Sequence, residues 1–163
     1  MRGSDIFLTT PEDAPRWEGT WNGPGTILPG CCVEIVPGII PSQGRFAFQP
    51  YCLTVGADGD PRAIMILDFD YLQGFTATSP IAVGQRCFVR FPLVGHECNI
   101  VLASQPGTGS ANAFTQGERL MFQHATGQLI PQTSSSGLSP FMALEHIDEL
   151  PPDTPTLVWC LRT

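Results

Sequence analysis

Glycine and proline are the residues that most limit how this chain can fold. The 163 residues include 17 Gly and 16 Pro, and both types recur along the whole length. Proline removes a backbone donor and clashes with the preceding helical turn, and glycine favours turns, so this density prevents long helices. The pattern predicts an all-β fold, a small β-barrel or β-sandwich of short antiparallel strands.

The first 30 residues combine these helix breakers with large apolar side chains. This predicts an extended arm over residues 1–30 that forms no regular strand, followed by one β-barrel or β-sandwich domain over residues 31–163. Disordered segments are poor in aromatic residues, so we expect the arm to pack, either into the surface of another protein or across its own domain. The expected anchoring side chains are Ile6, Phe7, Leu8, Trp17 and Trp21.

Short apolar runs bounded by turn residues follow the arm and indicate about eight to ten strands. The runs cover residues 31–36, 51–55, 63–67, 84–91, 96–102, 117–123, 128–130, 141–146 and 156–162. Asp58-Gly59 predicts a hairpin turn. Residues 84–102 and 117–130 both read as a glycine, a polar residue and an arginine, then a strand, a turn glycine and a second strand, so we interpret each as one β-hairpin of an internal repeat.

The charge pattern argues against polyanionic partners. All eight basic residues are arginine, they are scattered, and the net charge is −7. Affinity for nucleic acid comes mainly from cationic groups that release counterions, so we expect neither nucleic acid nor an anionic membrane as a partner. The missing lysine also excludes a Schiff-base nucleophile and a phosphate-loop lysine.

Six cysteines are present, an even number that would allow a disulfide framework. The opening residues lack the apolar run of a secretory signal, which predicts synthesis in a reducing compartment. Several cysteines stand inside apolar strand-like runs, where a reduced thiol packs as a small hydrophobic group. We expect free, buried thiols.

Two groups of side chains have the chemistry of metal ligands. Cys87, His96 and Cys98 suit zinc, but no Cys-x-x-Cys pair accompanies them. The pairs Asp58 with Asp60 and Asp68 with Asp70 supply oxygen ligands, but no calcium loop follows either pair. We therefore expect core thiols, turn-forming aspartates, and no metal or cofactor.

Catalytic constellations are missing from the pattern. Nucleophilic catalysis needs a base beside the nucleophile, and the three histidines fall in separate segments: His96, His124 and His146. No glycine-rich phosphate loop opens a helix. We predict that the protein is not an enzyme.

Three short segments carry a resemblance to a known group of proteins. They are a Gly-polar strand start at residues 117–120, a turn glycine with an apolar strand at 126–130, and Ala-Leu-Glu at 143–145. In this last third the chain is similar to small decoration, or cement, proteins of tailed-phage heads. The resemblance implies a β-barrel or β-sandwich bound to the outside of a capsid shell, without catalysis. The six cysteines and the N-terminal arm depart from that group.

These observations together favour a virion protein made in the host cytoplasm, which binds the outer capsid surface and bridges capsomers. The expected partners are the major capsid protein and further copies of the chain, with a trimer favoured because closed assemblies hide strand edges. Two alternatives stay open. One is another virion component, such as a fibre base or minor capsid protein, and the other is a small β-barrel that binds a carbohydrate.

Overall fold

The computed structural model describes residues 16–36, 46–50, 64–68, 76–102, 114–122, 126–131, 139–147 and 156–163. The regular elements in these ranges are all strands, so the prediction of an all-β fold is confirmed. The strands are β1 (Arg16–Trp21), β2 (Cys32–Ile35), β3 (Phe46–Pro50), β4 (Met65–Asp68), β5 (Arg86–Arg90), β6 (Glu97–Leu102), β7 (Arg119–Phe122), β8 (Leu129–Pro131), β9 (Phe141–Ala143) and β10 (Thr156–Arg162). None of the described residues forms a helix long and apolar enough to cross a membrane.

The strands close into two five-stranded barrels that follow one another along the chain. Barrel 1 has the cyclic order β1-β3-β2-β4-β5, and barrel 2 has β6-β8-β7-β9-β10. Each barrel contains one parallel pairing, β1 with β3 and β6 with β8, between otherwise antiparallel neighbours. Residues 31–163 thus hold most of one barrel and all of a second, rather than a single barrel or sandwich.

The two barrels share strand register as well as strand order, which makes them a tandem structural duplication. Four cross-strand pairs of barrel 1 have an equivalent pair in barrel 2. In barrel 1 they are Trp21–Phe48, Val33–Pro50, Val33–Met65 and Ile66–Arg90. In barrel 2 the equivalents are, in the same order, Leu102–Leu129, Leu120–Pro131, Leu120–Phe141 and Met142–Leu161. Every residue of one barrel strand can therefore be assigned its counterpart in the other barrel.

The turn before the second strand of each barrel repeats in the same detail. Gly30 and Gly117 have φ angles of 87° and 89°, a left-handed conformation that only glycine adopts without strain. The N–H of Gly30 donates to the carbonyl of Leu67 at 2.8 Å, and the N–H of Gly117 donates to that of Ala143 at 2.8 Å. The duplication thus extends beyond the strands into their connections.

Alternate residues of each strand face the interior, as the period of two requires. Inward side chains of barrel 1, such as Trp21, Phe48 and Val89, form one buried cluster. Inward side chains of barrel 2, such as Ile100 and Leu129, form another. Each barrel therefore has its own packed core.

The barrels are joined through side chains that leave one barrel and enter the core of the other. Cys32 and Ile66 belong to barrel 1 strands but are fully buried in the barrel 2 cluster. In return, Val101 of barrel 2 packs in the barrel 1 cluster. The Cys32 N–H donates to the Gly127 carbonyl at 2.6 Å, which ties the two backbones together.

One of the two hairpins predicted for the internal repeat is wrong. Residues 84–102 do not form a hairpin, because β5 pairs within barrel 1 and β6 within barrel 2. The turn over 93–96, closed by the His96 N–H on the Leu93 carbonyl at 3.0 Å, instead carries the chain from one barrel to the next. The second copy, β7 with β8, does pair as an antiparallel hairpin. The turn predicted at Asp58-Gly59 lies outside the described residues.

Part of the segment that was predicted to form an extended arm is a regular strand instead. Residues 16–21 form β1, which is paired on both sides, with β3 and with β5. Gly19 is required there, since a Cβ at this position would collide with the Phe48 ring and the Phe46 carbonyl. The glycine that looks like a strand breaker makes room for a core aromatic residue. The rest of the arm, residues 1–15, lies outside the described residues.

Candidate interaction surface

One end of barrel 1 carries a group of aromatic rings that we call the aromatic mouth, made of Trp17, Phe46 and Phe91. Trp17 and Phe46 lie near the starts of the parallel strands β1 and β3, and Phe91 follows the last residue of β5. All three stand at inward-facing positions of the alternation, one step beyond the buried core. They therefore cap the open end of the barrel.

The rings of the aromatic mouth are ordered against one another but only partly covered. Trp17 stacks on Phe46 with centroids 4.9 Å apart and meets Phe91 edge-on at 4.8 Å. Trp17 and Phe46 are nevertheless 38% and 40% exposed. Exposed clusters of large apolar side chains are typical of protein interaction sites.

An ion-pair belt on the outer wall of barrel 1 runs beside this mouth. The Arg90 Nε donates to the buried Asp68 carboxylate at 2.7 Å, and the Arg16 Nε lies 4.0 Å from the same oxygen. The Arg16 guanidinium also covers the Phe88 ring at 3.8 Å. Asp68 thus holds two neighbouring arginines in place, one of them directly before Trp17.

The outer wall of barrel 2 also has an aromatic ring at the position equivalent to Phe88, but this ring has a different partner. Trp159 is the counterpart of Phe88, and Glu97 is the counterpart of Arg16, by the shared register. The Trp159 Nε1–H donates to the Glu97 carboxylate at 3.0 Å, whereas Phe88 receives the guanidinium of Arg16. At this position the two outer walls therefore carry side chains of opposite charge, Arg16 and Glu97.

The five described cysteines are buried and unpaired, as predicted: Cys31, Cys32, Cys87, Cys98 and Cys160. Burial raises the pKa of Cys31, Cys87 and Cys98 to about 12 in each case. Burial also raises the pKa of Cys32 and Cys160, and nearby thiols add to the increase. Nucleophilic chemistry needs the thiolate, which these environments disfavour.

The structure separates the residues that the sequence suggested as metal ligands. Cys87 belongs to the core of barrel 1 and Cys98 to the core of barrel 2. Asp68 is engaged by Arg90, and Asp58, Asp60 and Asp70 lie outside the described residues. Within the described ranges, no group of three or more His, Cys, Asp or Glu side chains is placed to hold a metal ion.

The predicted anchors divide into three cases. Ile6, Phe7 and Leu8 lie outside the described residues. Trp21 is 1% exposed in the barrel 1 core, with its Nε1–H donating to the Gly25 carbonyl at 2.8 Å, so its side chain is not available to a partner. Trp17 is exposed and belongs to the aromatic mouth.

Phe46 and Phe91 also belong to this surface, although nothing in the sequence pattern marks them as exposed. Both do stand at inward positions of their strands, which is what the alternation indicates. A strand pattern does not say where a barrel ends, and it is the end position that exposes them. Phe48 shows the other outcome, since it stands two residues further into β3 and is fully buried.

Comparison with solved structures relates this fold to a virion protein. The chain is similar to the N base of the head fiber protein gp8.5 of bacteriophage phi29, with a TM-score of 0.51 and 11% sequence identity. The match covers 91% of this chain and 95% of that one. The likeness is one of fold. No protein-family model and no curated protein matches the sequence.

Proposed function

We propose that this protein is a non-catalytic structural component of a bacteriophage virion, attached to the outer surface of the head. The observation that carries the proposal is the shared fold, which extends over nearly the whole of both chains and therefore includes both barrels. The cement-like segments in the last third of the sequence point in the same direction. Fold alone does not establish function, so binding to the capsid shell is the property to measure.

The attachment would be made by the segment before β1. Ile6, Phe7 and Leu8 form the largest apolar group in residues 1–15, and burial of apolar surface is the dominant favourable term in most protein–protein association. A segment bound across two capsomers adds contacts that exist only in the assembled shell, so it stabilises that state by mass action. Bridging of capsomers by this segment is the mechanism we propose.

A fibre base is the second candidate, and the comparison specifically favours it. The matched chain is itself the base of a head fiber. A decoration protein and a fibre base would both bind the shell, but only a fibre base carries a further module away from the surface. The two differ in whether a second protein binds the complex of shell and chain.

The test is co-sedimentation of the full chain with purified empty shells of the source virus. We expect saturable binding and a higher melting temperature of the shell. A variant lacking residues 2–14 should lose binding and keep its fold, because the deletion ends before β1. A longer deletion that includes β1 would remove a strand of barrel 1 and is unsuitable.

The matched control is Val83→Ser, which changes an apolar side chain that is 57% exposed and distant in sequence from the arm. It should bind shells like the unchanged chain. Absence of binding by the unchanged chain would refute the proposal, and undiminished binding by the deletion variant would refute the role of the segment before β1.

We further propose that the chain acts as a homo-oligomer, with a trimer favoured because it fits the three-fold positions of a capsid shell. The duplicated fold supports self-association, since barrel 1 leaves a mouth exposed and barrel 2 leaves a face exposed, the two kinds of surface that meet between the barrels within one chain.

A further inference from the structure

The end of barrel 2 that corresponds to the aromatic mouth is closed from within the molecule. By the shared register, the counterparts of Trp17, Phe46 and Phe91 are Cys98, Gly127 and Arg162. Strand β2 of barrel 1 lies against the first and second of these positions, Cys98 and Gly127. The Cys32 N–H donates to the Gly127 carbonyl at 2.6 Å, and the Cys32 side chain shares a core with Cys98.

Burial raises the pKa of the Cys32 thiol, and the charge of Arg162, the third counterpart, opposes that shift. A Cβ at Gly127 would collide with the Cys32 carbonyl, so the approach is as close as a glycine allows. The mouth of barrel 2 is therefore a docking site whose occupant is the outer face of β2 and β4.

The corresponding mouth of barrel 1 ends differently. Its three positions carry aromatic rings in place of cysteine, glycine and arginine, and two of those rings are more than one-third exposed. Burying such rings in an interface is strongly favourable, because aromatic side chains bury large areas and have few rotatable bonds. The aromatic mouth therefore has the properties of a docking site for another molecule.

The same register identifies the face that would fit it. Cys32 and Ile66 stand directly opposite each other on β2 and β4, and they are the residues that enter barrel 2. Their counterparts, Arg119 and Met142, stand directly opposite each other on β7 and β9. Arg119 is exposed and Met142 half-buried.

The side chains on both sides of this contact differ between the buried joint inside the chain and the two exposed surfaces. Inside the chain, small and aliphatic groups meet Cys98 and Gly127. At the free ends, a guanidinium and a thioether would meet Trp17, Phe46 and Phe91, and both groups bind aromatic rings favourably. The chain already uses such a pair, since Arg16 covers the Phe88 ring at 3.8 Å.

We propose that a second copy of this chain docks on the aromatic mouth through its Arg119–Met142 face, so that the contact between barrels within one chain is repeated, in altered chemistry, between chains. The contact is heterologous, because each copy offers one mouth and one face. Copies joined this way form a closed ring or an open row. The proposal rests on the geometry of the two barrels and not on shell attachment.

The test is the molar mass of the full chain by light scattering across a concentration series. We expect an oligomer for the unchanged protein. Trp17→Ala removes the mouth and Arg119→Glu removes the face, so each should raise the dissociation constant at least about tenfold. Phe46→Ser is a second mouth variant should Trp17→Ala fail to fold, and Arg86→Glu, an exposed arginine outside both surfaces, is the control.

Mixing the two variants gives the sharpest outcome. Trp17→Ala retains a working face and Arg119→Glu retains a working mouth, so an equimolar mixture should form a heterodimer and stop there. A symmetric contact, in which the same patch meets itself, would not be rescued by mixing. A monomeric unchanged protein, undisturbed assembly of both variants, or no heterodimer in the mixture would each overturn the proposal.

Discussion

At the scale of single residues, equivalent positions of the two barrels keep a geometric role while their chemistry changes. Phe88 and Trp159 occupy the same place on the outer wall, yet one ring is covered by an arginine and the other donates to a glutamate. Cys32 and Arg119 likewise occupy one place, and only the cysteine is buried. Burial against a neighbouring barrel, rather than position in the strand, decides which side chain is tolerated.

Gly127 should be the glycine most sensitive to substitution, because it lies against Cys32. Gly25 is a matched control: the two φ angles are 69° and 68°, and a Cβ at Gly25 meets nothing within 4 Å. We expect Gly25→Ala to cost about 1 kcal/mol from backbone strain. Gly127→Ala should cost about 2 kcal/mol more, from overpacking at the joint. Denaturant titration measures both losses of stability. Equal losses would show that Gly127 is not closely packed against Cys32.

The buried thiols should resist modification. The pKa values near 12 for Cys31, Cys87 and Cys98 leave almost no thiolate at pH 8. We expect at most one rapidly reacting thiol in the native protein, Cys52, and five more on unfolding. Because the native state holds these protons more tightly than the unfolded chain, stability should be full below about pH 9 and fall as the pH rises towards 12. A native protein with several fast thiols would contradict this.

At the scale of strands, the sequence predicts those elements whose pattern is complete within a few residues. Apolar runs locate β10 at residues 156–162 and indicate β2, β4, β5, β6, β7, β8 and β9 to within a few residues. β1 escapes detection because Gly19 interrupts its apolar face, and Phe48, which fills the space, is distant in sequence. The parallel pairing of β1 with β3 is also invisible, because no tight turn connects the two strands.

The same limit explains why only part of the candidate surface could be predicted. Trp17 is found because aromatic residues beside glycine and proline suggest an interface. Phe46 and Phe91 are missed because their exposure depends on where barrel 1 ends. Arg119 carries no local signal at all, and its relevance follows only from its register with Cys32.

An ion pair between β4 and β5, formed by Asp68 and Arg90, should contribute strongly to stability. Asp68 and Arg90 have side chains 9% and 17% exposed, joined at 2.7 Å. Asp68→Asn should cost about 3 kcal/mol, because it removes the carboxylate charge that lies 2.7 Å from a largely buried guanidinium. Glu18→Gln is the control, since its pair with Arg86 at 3.4 Å is far more exposed and should contribute less than about 1 kcal/mol. Similar losses in thermal or denaturant unfolding would refute the special role of Asp68.

At the scale of the whole molecule, the exchange of core residues should make the two barrels one cooperative unit. Cys32 and Ile66 complete the core of barrel 2, and Val101 joins the core of barrel 1. Neither core is complete without the other half of the chain. Domains that share a core in this way unfold together.

Cooperativity can be measured with a single substitution. Trp159→Phe leaves Trp17 and Trp21, both in barrel 1, as the fluorescent residues. Its fluorescence transition in denaturant should coincide with the transition seen by far-ultraviolet circular dichroism, which reports on both barrels. Two separated midpoints would show that the barrels unfold independently.

The exchange of core residues is also unequal, and this bears on how the chain acquires its structure during synthesis. Barrel 1 receives mainly Val101 from barrel 2, whereas barrel 2 needs Cys32 and Ile66, which leave the ribosome long before β10. Chains fold from the N-terminus as they are made. We therefore expect barrel 1 to begin folding first and to be completed when Val101 enters its core, with the outer face of β2 and β4 as the surface on which barrel 2 assembles.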